Sequence, residues 1–387
     1  MKEIVGKILS KAGSLIALLF VFVLFAILGG ERFCNLGAMN NILVFSVIVG
    51  IAALGATLII ISGGIDLSVG CTIATITIVI ARMYNLKFSG TYLVEQFPFL
   101  WPLTALLAGV LAGAAIGLLI GSSVVGHVGR AVSVVLGLLT IYGLKTGVEW
   151  SLLFCIPLGA VAATALWFLN GLTIKKTPLP PFIVTLGLWA SLRGTAKWLA
   201  SESAVYPDVT AIEGKAIWLN ELMSIIKVGG VDTPPMGVWI WLFLALAIGL
   251  MLKYTRFGRH IYAVGSNENT ARLCGINVEK TKILTYTLAI ALGGMAGVLR
   301  FSWLGMGDPV SDVGTELLVI AAVVIGGASL NGGVGGIGGT VIGTLIIMIV
   351  YQGCSVMGMP NFVQEIVTGA IIVAAVTLDQ ARRRRAA

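Results

Sequence analysis

Residues 41–70 read NILVFSVIVGIAALGATLIIISGGIDLSVG. The first part, 41–62, carries no charge and is long enough to cross the hydrocarbon core of a bilayer as one helix, which takes about 20 residues. Gly63-Gly64-Ile65-Asp66 then interrupts the apolar sequence before a second apolar run at 66–84. This stretch predicts a membrane-spanning helix, a break at the glycine pair, and a second helix behind the break.

The composition of the whole chain agrees with a membrane environment. Of 387 residues, 58% are hydrophobic and 11% are charged, and the mean hydropathy is +1.01. Soluble domains carry about 25% charged residues, so a chain this poor in charge could not cover its own surface in water. The composition therefore excludes an ordinary soluble protein.

The same length criterion, applied along the chain, finds about twelve candidate spans. They lie near 12–30, 41–62, 66–84, 103–125, 131–144, 151–172, 181–199, 236–254, 284–303, 315–330, 336–353 and 361–378. The sequence thus predicts an all-α, polytopic transmembrane helix bundle that forms one domain over 1–387. The runs 315–330 and 336–353 are also compatible with a hairpin of partial spans. The first run lacks an Ala-x-Ala cleavage site and is expected to stay on the protein as a helix.

Basic residues indicate the orientation, because they stay on the cytoplasmic side of membrane spans. The net charge is +8. Most of the 25 Lys and Arg residues fall on one side if the N-terminus is cytoplasmic and the number of spans is even, including those that flank the first and last runs (Lys2, Lys7, Lys11, Arg382, Arg383, Arg384, Arg385). Both termini are therefore predicted to be cytoplasmic. The basic residues form no stripe with aromatic residues, so no nucleic-acid partner is expected.

Two connections exceed ordinary loop length. The segment 200–235 is mildly acidic and is predicted to lie outside the cell, whereas 255–283 is basic and cytoplasmic. Within the second segment, 269–274 is compatible with a helix, and Gly275 follows where a glycine would end it.

Glycine recurs every fourth residue in several apolar runs. This spacing places the glycines on one helix face, where the missing side chains let a second backbone come close. The sets are Gly109, Gly113, Gly117 and Gly121; Gly335, Gly339 and Gly343; and the pair Gly293 and Gly297. The glycine-rich stretch 326–333 is not a phosphate-binding loop, because Gly-Lys-Ser/Thr is missing.

The chain shows no catalytic or metal-binding pattern. Five cysteines and two histidines are scattered without paired spacing, so neither a metal site nor a disulfide framework is expected. No nucleophile with a base and no carboxylate pair falls within plausible reach. We expect a protein that is not an enzyme and that holds no cofactor of its own.

Asp66 is the most informative polar residue in the apolar runs. A charge within a membrane span is costly and usually functional. Asp66 is also well placed to cap the helix that follows the glycine pair. The two roles are compatible, because broken helices line substrate paths in many transporters. Glu316 and Glu365 lie near predicted helix starts and are interpreted mainly as helix-cap residues.

Four stretches resemble a known family. They are Ile61–Gly70; Pro181–Gly187 with Leu192-Arg193-Gly194; Thr255–Asn267 continuing into Ala271–Val278; and Ala321–Gly327. Together, in this order, they resemble the permease subunits of bacterial ABC importers of the ribose, xylose and galactose group, which are components of binding-protein-dependent transport systems of the inner membrane.

The resemblance implies a division of labour. A periplasmic or lipid-anchored sugar-binding protein delivers the solute, two permease subunits (identical or different) form the path in the bilayer, and cytoplasmic ABC ATPases bind the ATP that drives it. The loop 265–278 matches the family's segment that couples to the ATPase, through Gly265, Asn267, Glu268, Ala271, Arg272, Gly275 and Ile276. Candidates for lining the path are Asp66, Ser68, Thr185 and Asn331.

Two features depart from the family pattern. About 40 extra residues at 126–166 are predicted to add a pair of spans to the family's usual ten, which preserves the topology. The family's Glu-Leu-Asp is replaced by Glu316-Leu317-Leu318, which points to an unusual substrate or a different partner subunit.

Other functions remain open at this point. The expected solute is a monosaccharide, but related permeases carry nucleosides and other small polar solutes. An ion- or proton-coupled secondary transporter would need buried carboxylates, and Asp66 is the one well-placed candidate. A membrane anchor without transport would leave the break at Gly63-Gly64 without a role.

Overall fold

The computed structural model describes residues 2–88, 90–125, 180–212, 215–228, 231–360 and 362–367, together with 369, 370, 373 and 377. The helices, in chain order, are α1 (Lys2–Phe33), α2 (Leu36–Ile61), α3 (Val69–Tyr84), α4 (Leu93–Gln96), α5 (Leu100–Val124), α6 (Pro181–Leu199), α7 (Trp218–Glu221), α8 (Met236–Tyr254), α9 (Arg256–Ser266), α10 (Glu268–Leu273), α11 (Val278–Leu304), α12 (Thr315–Ile325) and α13 (Ile337–Val356). Residues 362–367 are helical as well.

The described strands are short antiparallel hairpins in the connections. They pair β1 (Lys87–Phe88) with β2 (Thr91–Tyr92), β3 (Ala211–Ile212) with β4 (Lys215–Ala216), and β5 (Ile226–Val228) with β6 (Val231–Thr233). The described part of the predicted loop 200–235 thus contains two hairpins and helix α7. It is joined to the bundle where Val205 and Gly307 exchange backbone hydrogen bonds of 2.7 and 2.9 Å.

Six helices within the described ranges are long and apolar enough to cross a membrane, namely α1 from Ser14, α2, α5, α8, α11 and α13. Helices α3 and α12 are apolar but shorter. The prediction of a helical, multi-span protein is confirmed, and the total of twelve spans and the orientation of the termini stay predictions. The predicted spans 131–144 and 151–172, and with them the insertion 126–166, lie outside the described residues.

Helix α2 forms the centre of the bundle. Of its most apolar stretch of 18 residues, 94% are buried inside the protein, and the helix packs against α8, α11, α12 and α13. A helix that is apolar on all sides is stable either inside a protein or against lipid, and α2 is inside the protein. Ile51 and Leu54 of α2 are fully buried, and Trp241 of α8 packs against Gly50.

The glycines of α5 form a seam against α11, as their spacing predicts. A Cβ atom added at Gly113 would lie 2.8 Å from the Gly294 Cα atom, and one at Gly121 would lie 2.8 Å from the Ile283 Cα atom. The pair Gly293 and Gly297 faces α3 instead. Helix α11 is therefore held on two sides through close backbone contacts.

We expect Gly113→Ala to destabilise the protein by about 1–3 kcal/mol, because the added methyl group forces α5 and α11 apart. The measurement is the midpoint of thermal unfolding of the detergent-purified protein. Gly194→Ala on α6 is the matched control, because its Cβ would meet no described atom within 4 Å. Equal unfolding midpoints for Gly113→Ala and Gly194→Ala would show that α5 and α11 do not pack closely at Gly113.

Helices α12 and α13 also meet backbone to backbone. Gly339 lies against the carbonyl group of Gly326, and Gly343 lies against that of Ala322. Gly335, the third member of this predicted set, precedes α13 and packs on Ala328 and Ile61 instead. The predicted run 315–330 is helical only to Ile325, and the short helix α12 packs against α13.

Candidate functional site

The helix break occurs where the glycine pair predicts it. Helix α2 ends at Ile61 and α3 begins at Val69. Asp66 is buried, and its Oδ1 accepts hydrogen bonds from the backbone N–H of Ser68 at 2.8 Å and from the Ser68 hydroxyl at 2.7 Å. Asp66 therefore closes a short turn ahead of α3 and is held inside the protein, but the predicted cap of α3 by Asp66 is wrong, because the N-cap residue is Ser68 and Asp66 accepts from no N–H group of the helix as the structure describes it.

Thr185 of α6 lies against the break. Its side chain is fully buried, and the hydroxyl lies 3.4 Å from the Ile65 carbonyl oxygen and 3.2 Å from that of Phe182. Three of the four predicted path residues, Asp66, Ser68 and Thr185, are thus brought together where α6 crosses the break.

Asn331, the fourth predicted path residue, lies in a different place. It belongs to the loop between α12 and α13, where its backbone N–H donates to the Ser329 hydroxyl at 3.2 Å. The loop approaches the break at Gly63, where an added Cβ would lie 4.0 Å from the Asn331 carbonyl oxygen. Asn331 therefore approaches the break next to the end of α2.

Glu316 joins the site from the first turn of α12. Its side chain is 8% exposed, and its Oε1 accepts a hydrogen bond from the Trp189 indole N–H of α6 at 3.3 Å. Its Oε2 is buried and has no hydrogen-bond partner among the described residues. Glu316 lies in the first turn of α12, where the sequence places it, and its side chain turns toward α6.

Arg193 lies one helical turn beyond Trp189 on α6. The Arg193 Cζ atom is 5.0 Å from the centre of the Trp189 ring, and the guanidinium group lies next to the Cys71 thiol of α3. Its buried Nε has no partner among the residues that the structure describes. Helices α3, α6 and α12 thus enclose a polar cluster with an indole, a guanidinium group and a carboxylate that retains an unused acceptor.

Sequence reasoning missed the roles of Trp189 and Glu316. The spacing of Trp189 and Arg193 is a usable signal, because residues four apart lie on one helix face. The hydrogen bond between Trp189 and Glu316 could not be predicted from a local pattern, because 127 positions separate the two residues.

The predicted coupling segment contains the expected short helix, α10. The Asn267 side chain accepts from the Thr270 backbone N–H at 2.9 Å and caps the start. At the other end, the N–H groups of Gly275 and Ile276 donate to the carbonyl groups of Arg272 and Ala271, both at 3.1 Å. These two bonds form a Schellman motif, and Gly275 supplies the left-handed φ of +81° that the motif needs.

Helix α10 packs against the bundle through one apolar face and one ion pair. Ala271 and Ile276 pack inward on Val264 and Val278. The Glu268 carboxylate binds the Lys282 ammonium at 2.6 Å. Burial alone raises the pKa of Glu268, but Lys282 and Arg272 outweigh it and hold this pKa below its ordinary value. The carboxylate is therefore charged at neutral pH and keeps α10 against α11.

The outer face of α10 presents an apolar side chain. Leu273 is 88% exposed, the highest value for a large hydrophobic residue in the described chain. Arg272 and Gly275 are exposed beside it. Sequence reasoning did not single out Leu273, although a helical projection offers the signal: it lies two residues, or about 200°, from the inward-facing Ala271.

The coupling segment reaches the helix break through a backbone contact that we call the glycine junction, formed by Ile61, Gly63, Gly265, Gly332 and Gly333. The Gly333 N–H donates to the Ile61 carbonyl oxygen at 2.8 Å, and an added Cβ at Gly332 would lie 2.9 Å from the Gly63 Cα atom. A Cβ at Gly265 would overlap the Ile61 carbonyl oxygen. Gly265, predicted to take part in coupling to the ATPase, is half-buried and lies between α10 and the break.

Comparisons with known proteins agree with the motifs. The model of a family described as branched-chain amino acid transport system / permease component matches residues 125–376. The ribose import permease protein RbsC of Escherichia coli strain K12 is 32% identical over 370 residues, which cover 96% of this chain and 94% of that protein. The xylose transport system permease protein XylH of the same strain is 33% identical over 367 residues, covering 90% and 86%. No solved structure matches the chain significantly.

Proposed function

The chain belongs to the family of ABC transporter permeases described as branched-chain amino acid transport system / permease component, as a multi-pass protein of the inner membrane, and on that premise we propose that it forms the path of a monosaccharide importer. The resemblance to ribose and xylose permeases is confirmed by relatives that align over most of their length. The proposed substrate follows these relatives, not the amino acid in the family's description.

The polar cluster at the helix break supports a sugar substrate. Glu316 and Arg193 offer an unused acceptor and an unused donor beside the Trp189 ring. Hydroxyl groups can both donate and accept, and the C–H groups of a sugar ring pack on an indole face. A branched aliphatic side chain would leave these polar groups unpaired, at a cost of about 1–3 kcal/mol for each.

The observation that carries the proposed coupling is helix α10 with its exposed leucine. An exposed apolar side chain on a rigidly anchored helix is suited to a groove on a partner protein. We assign that groove to a cytoplasmic ABC ATPase, which binds and hydrolyses ATP in place of this chain. The proposed topology follows: α10 and both termini are cytoplasmic, and the chain has about twelve spans.

The proposed mechanism is a rigid-body movement passed from α10 to the helix break. The Glu268–Lys282 ion pair and the apolar contacts of Ala271 keep α10 fixed to its neighbours. Closure of the ATPases would displace α10, and the glycine junction would carry that displacement to Ile61 and so to Asp66. A second permease subunit and an external binding protein complete the assembly.

ATP-dependent uptake tests the proposed function. The chain is reconstituted in liposomes with its ATPase and sugar-binding protein, and uptake of labelled D-ribose and D-xylose is measured with ATP, without ATP, and with an ion gradient alone. We expect uptake of a monosaccharide with ATP only. Uptake driven by an ion gradient without the ATPase would show an ion-coupled transporter, and selective uptake of leucine or uridine would overturn the sugar assignment.

A further inference from the structure

A cavity of about 590 Å³ lies beside the polar cluster. Its wall includes Phe45 and Val49 of α2, Arg300 and Trp303 of α11, and Tyr351 of α13. Val49 is twelve residues from Ile61, or about 18 Å along the axis of α2. The α2 wall of the cavity is therefore distant from Ile61, but on the other side the cavity adjoins the polar cluster, because Thr315 lines the cavity and the next residue, Glu316, belongs to the cluster.

A buried ion pair forms the polar side of the cavity. Arg300 Nε donates to Asp312 Oδ2 at 2.9 Å, and the two side chains are 18% and 4% exposed. Asp312 has a φ of +60°, which few residues other than glycine adopt. Such a conformation costs about 1–3 kcal/mol and is kept where the surroundings require it, and here it orients the carboxylate toward Arg300.

Aromatic rings from three helices form the other side. The Phe45 ring lies 5.2 Å from that of Trp303 and 6.0 Å from that of Tyr351, both edge to face. The Arg300 Cζ atom is 4.8 Å from the centre of the Trp303 ring. A guanidinium group stacked on an indole keeps a fixed orientation and presents its remaining N–H groups in one plane.

We propose that this cavity is a second solute site, where a monosaccharide released by the binding protein is held before it reaches the break. The inference rests on the proposed function. Ring hydroxyls would bond to the Arg300–Asp312 pair and to the Glu365 carboxylate, which also lines the cavity, and the C–H face would pack on the aromatic rings. The volume lies within the usual range of small-molecule sites.

Two valines on one segment allow a direct test. Val313 lines the cavity, whereas Val310 is outside it, and they are 57% and 60% exposed. In the complete transporter, with the five native cysteines replaced, Val313→Cys and Val310→Cys are labelled with a membrane-impermeant maleimide. At D-ribose or D-xylose concentrations ten times the dissociation constant, we expect labelling of Val313→Cys to slow roughly tenfold and that of Val310→Cys to stay unchanged.

A second pair of variants tests the recognition groups. Arg300→Lys or Tyr351→Leu, added to Val313→Cys, is expected to leave the labelling rate without sugar unchanged and to abolish the protection. Protection at neither cysteine, equal protection at both, or full protection in both added variants would overturn the inference. Uptake of ribose or xylose by the same liposomes keeps the two proposals apart, because ATP-driven uptake without protection refutes only the second site.

Discussion

Leu273→Glu is expected to abolish ATP-driven uptake while the membrane bundle stays folded. Leu273 is 88% exposed, so the substitution removes no contact inside the protein. At the interface with the ATPase, the substitution would bury a carboxylate where the leucine provides an apolar contact. Central anchors of interfaces contribute about 2 kcal/mol or more, which corresponds to roughly a thirtyfold loss of affinity.

Co-purification of the ATPase with the tagged permease measures this effect, and uptake in liposomes measures its consequence. Leu273→Met keeps the size and the apolar character and is the matched control, with expected uptake close to that of the unmodified chain. Gly275→Arg is expected to lower uptake as well, because Gly275 is exposed beside Leu273 and because arginine strains the left-handed φ of +81° that ends α10. Normal uptake by both Leu273→Glu and Gly275→Arg would show that α10 is not the docking helix.

Gly265→Ala is expected to separate ATP hydrolysis from transport. The added Cβ would overlap the Ile61 carbonyl oxygen and would lie 2.8 Å from the Gly333 nitrogen, so the glycine junction must open. The outer face of α10 would be unchanged, because the ion pair between Glu268 and Lys282 is outside the junction. We therefore expect the ATPase to bind and hydrolyse ATP while sugar uptake falls at least tenfold.

Gly338→Ala is the matched control for this second experiment. It adds the same methyl group near the start of α13, where no described atom lies within 4 Å of the new Cβ. Its uptake and hydrolysis should equal those of the unmodified chain. If Gly265→Ala and Gly338→Ala give the same ratio of sugar transported to ATP hydrolysed, movement does not pass through the junction.

The best sequence predictions concern features that a short window of residues determines. The span at 41–62, the break at Gly63-Gly64 and the short helix ended by Gly275 are all present. The glycine seam of α5 was also predictable, because a four-residue spacing defines a helix face whatever packs against it.

The less complete predictions concern residues whose position in the sequence is compatible with more than one role. Glu316, in the first turn of a helix, was interpreted as a cap, and its position alone permits that. Its bond to Trp189 depends on how α6 crosses α12. Gly265 was assigned to coupling because it belongs to the matching stretch, and that assignment stays a prediction, whereas its neighbours, Ile61 and Gly333, come from distant parts of the chain and could not be predicted.

The sequence by itself determined that this chain is a helical membrane protein with a broken helix at Asp66 and a short helix that ends at Gly275. Hydropathy, helix length and helix ends depend on residues within a few turns of one another, so they can be found without a fold. Only the tertiary structure decided that Leu273 faces outward, that Arg300 meets Asp312 beside three aromatic rings, and that Gly265 lies on Ile61. These contacts depend on how helices distant in sequence pack together, and close packing selects one such arrangement.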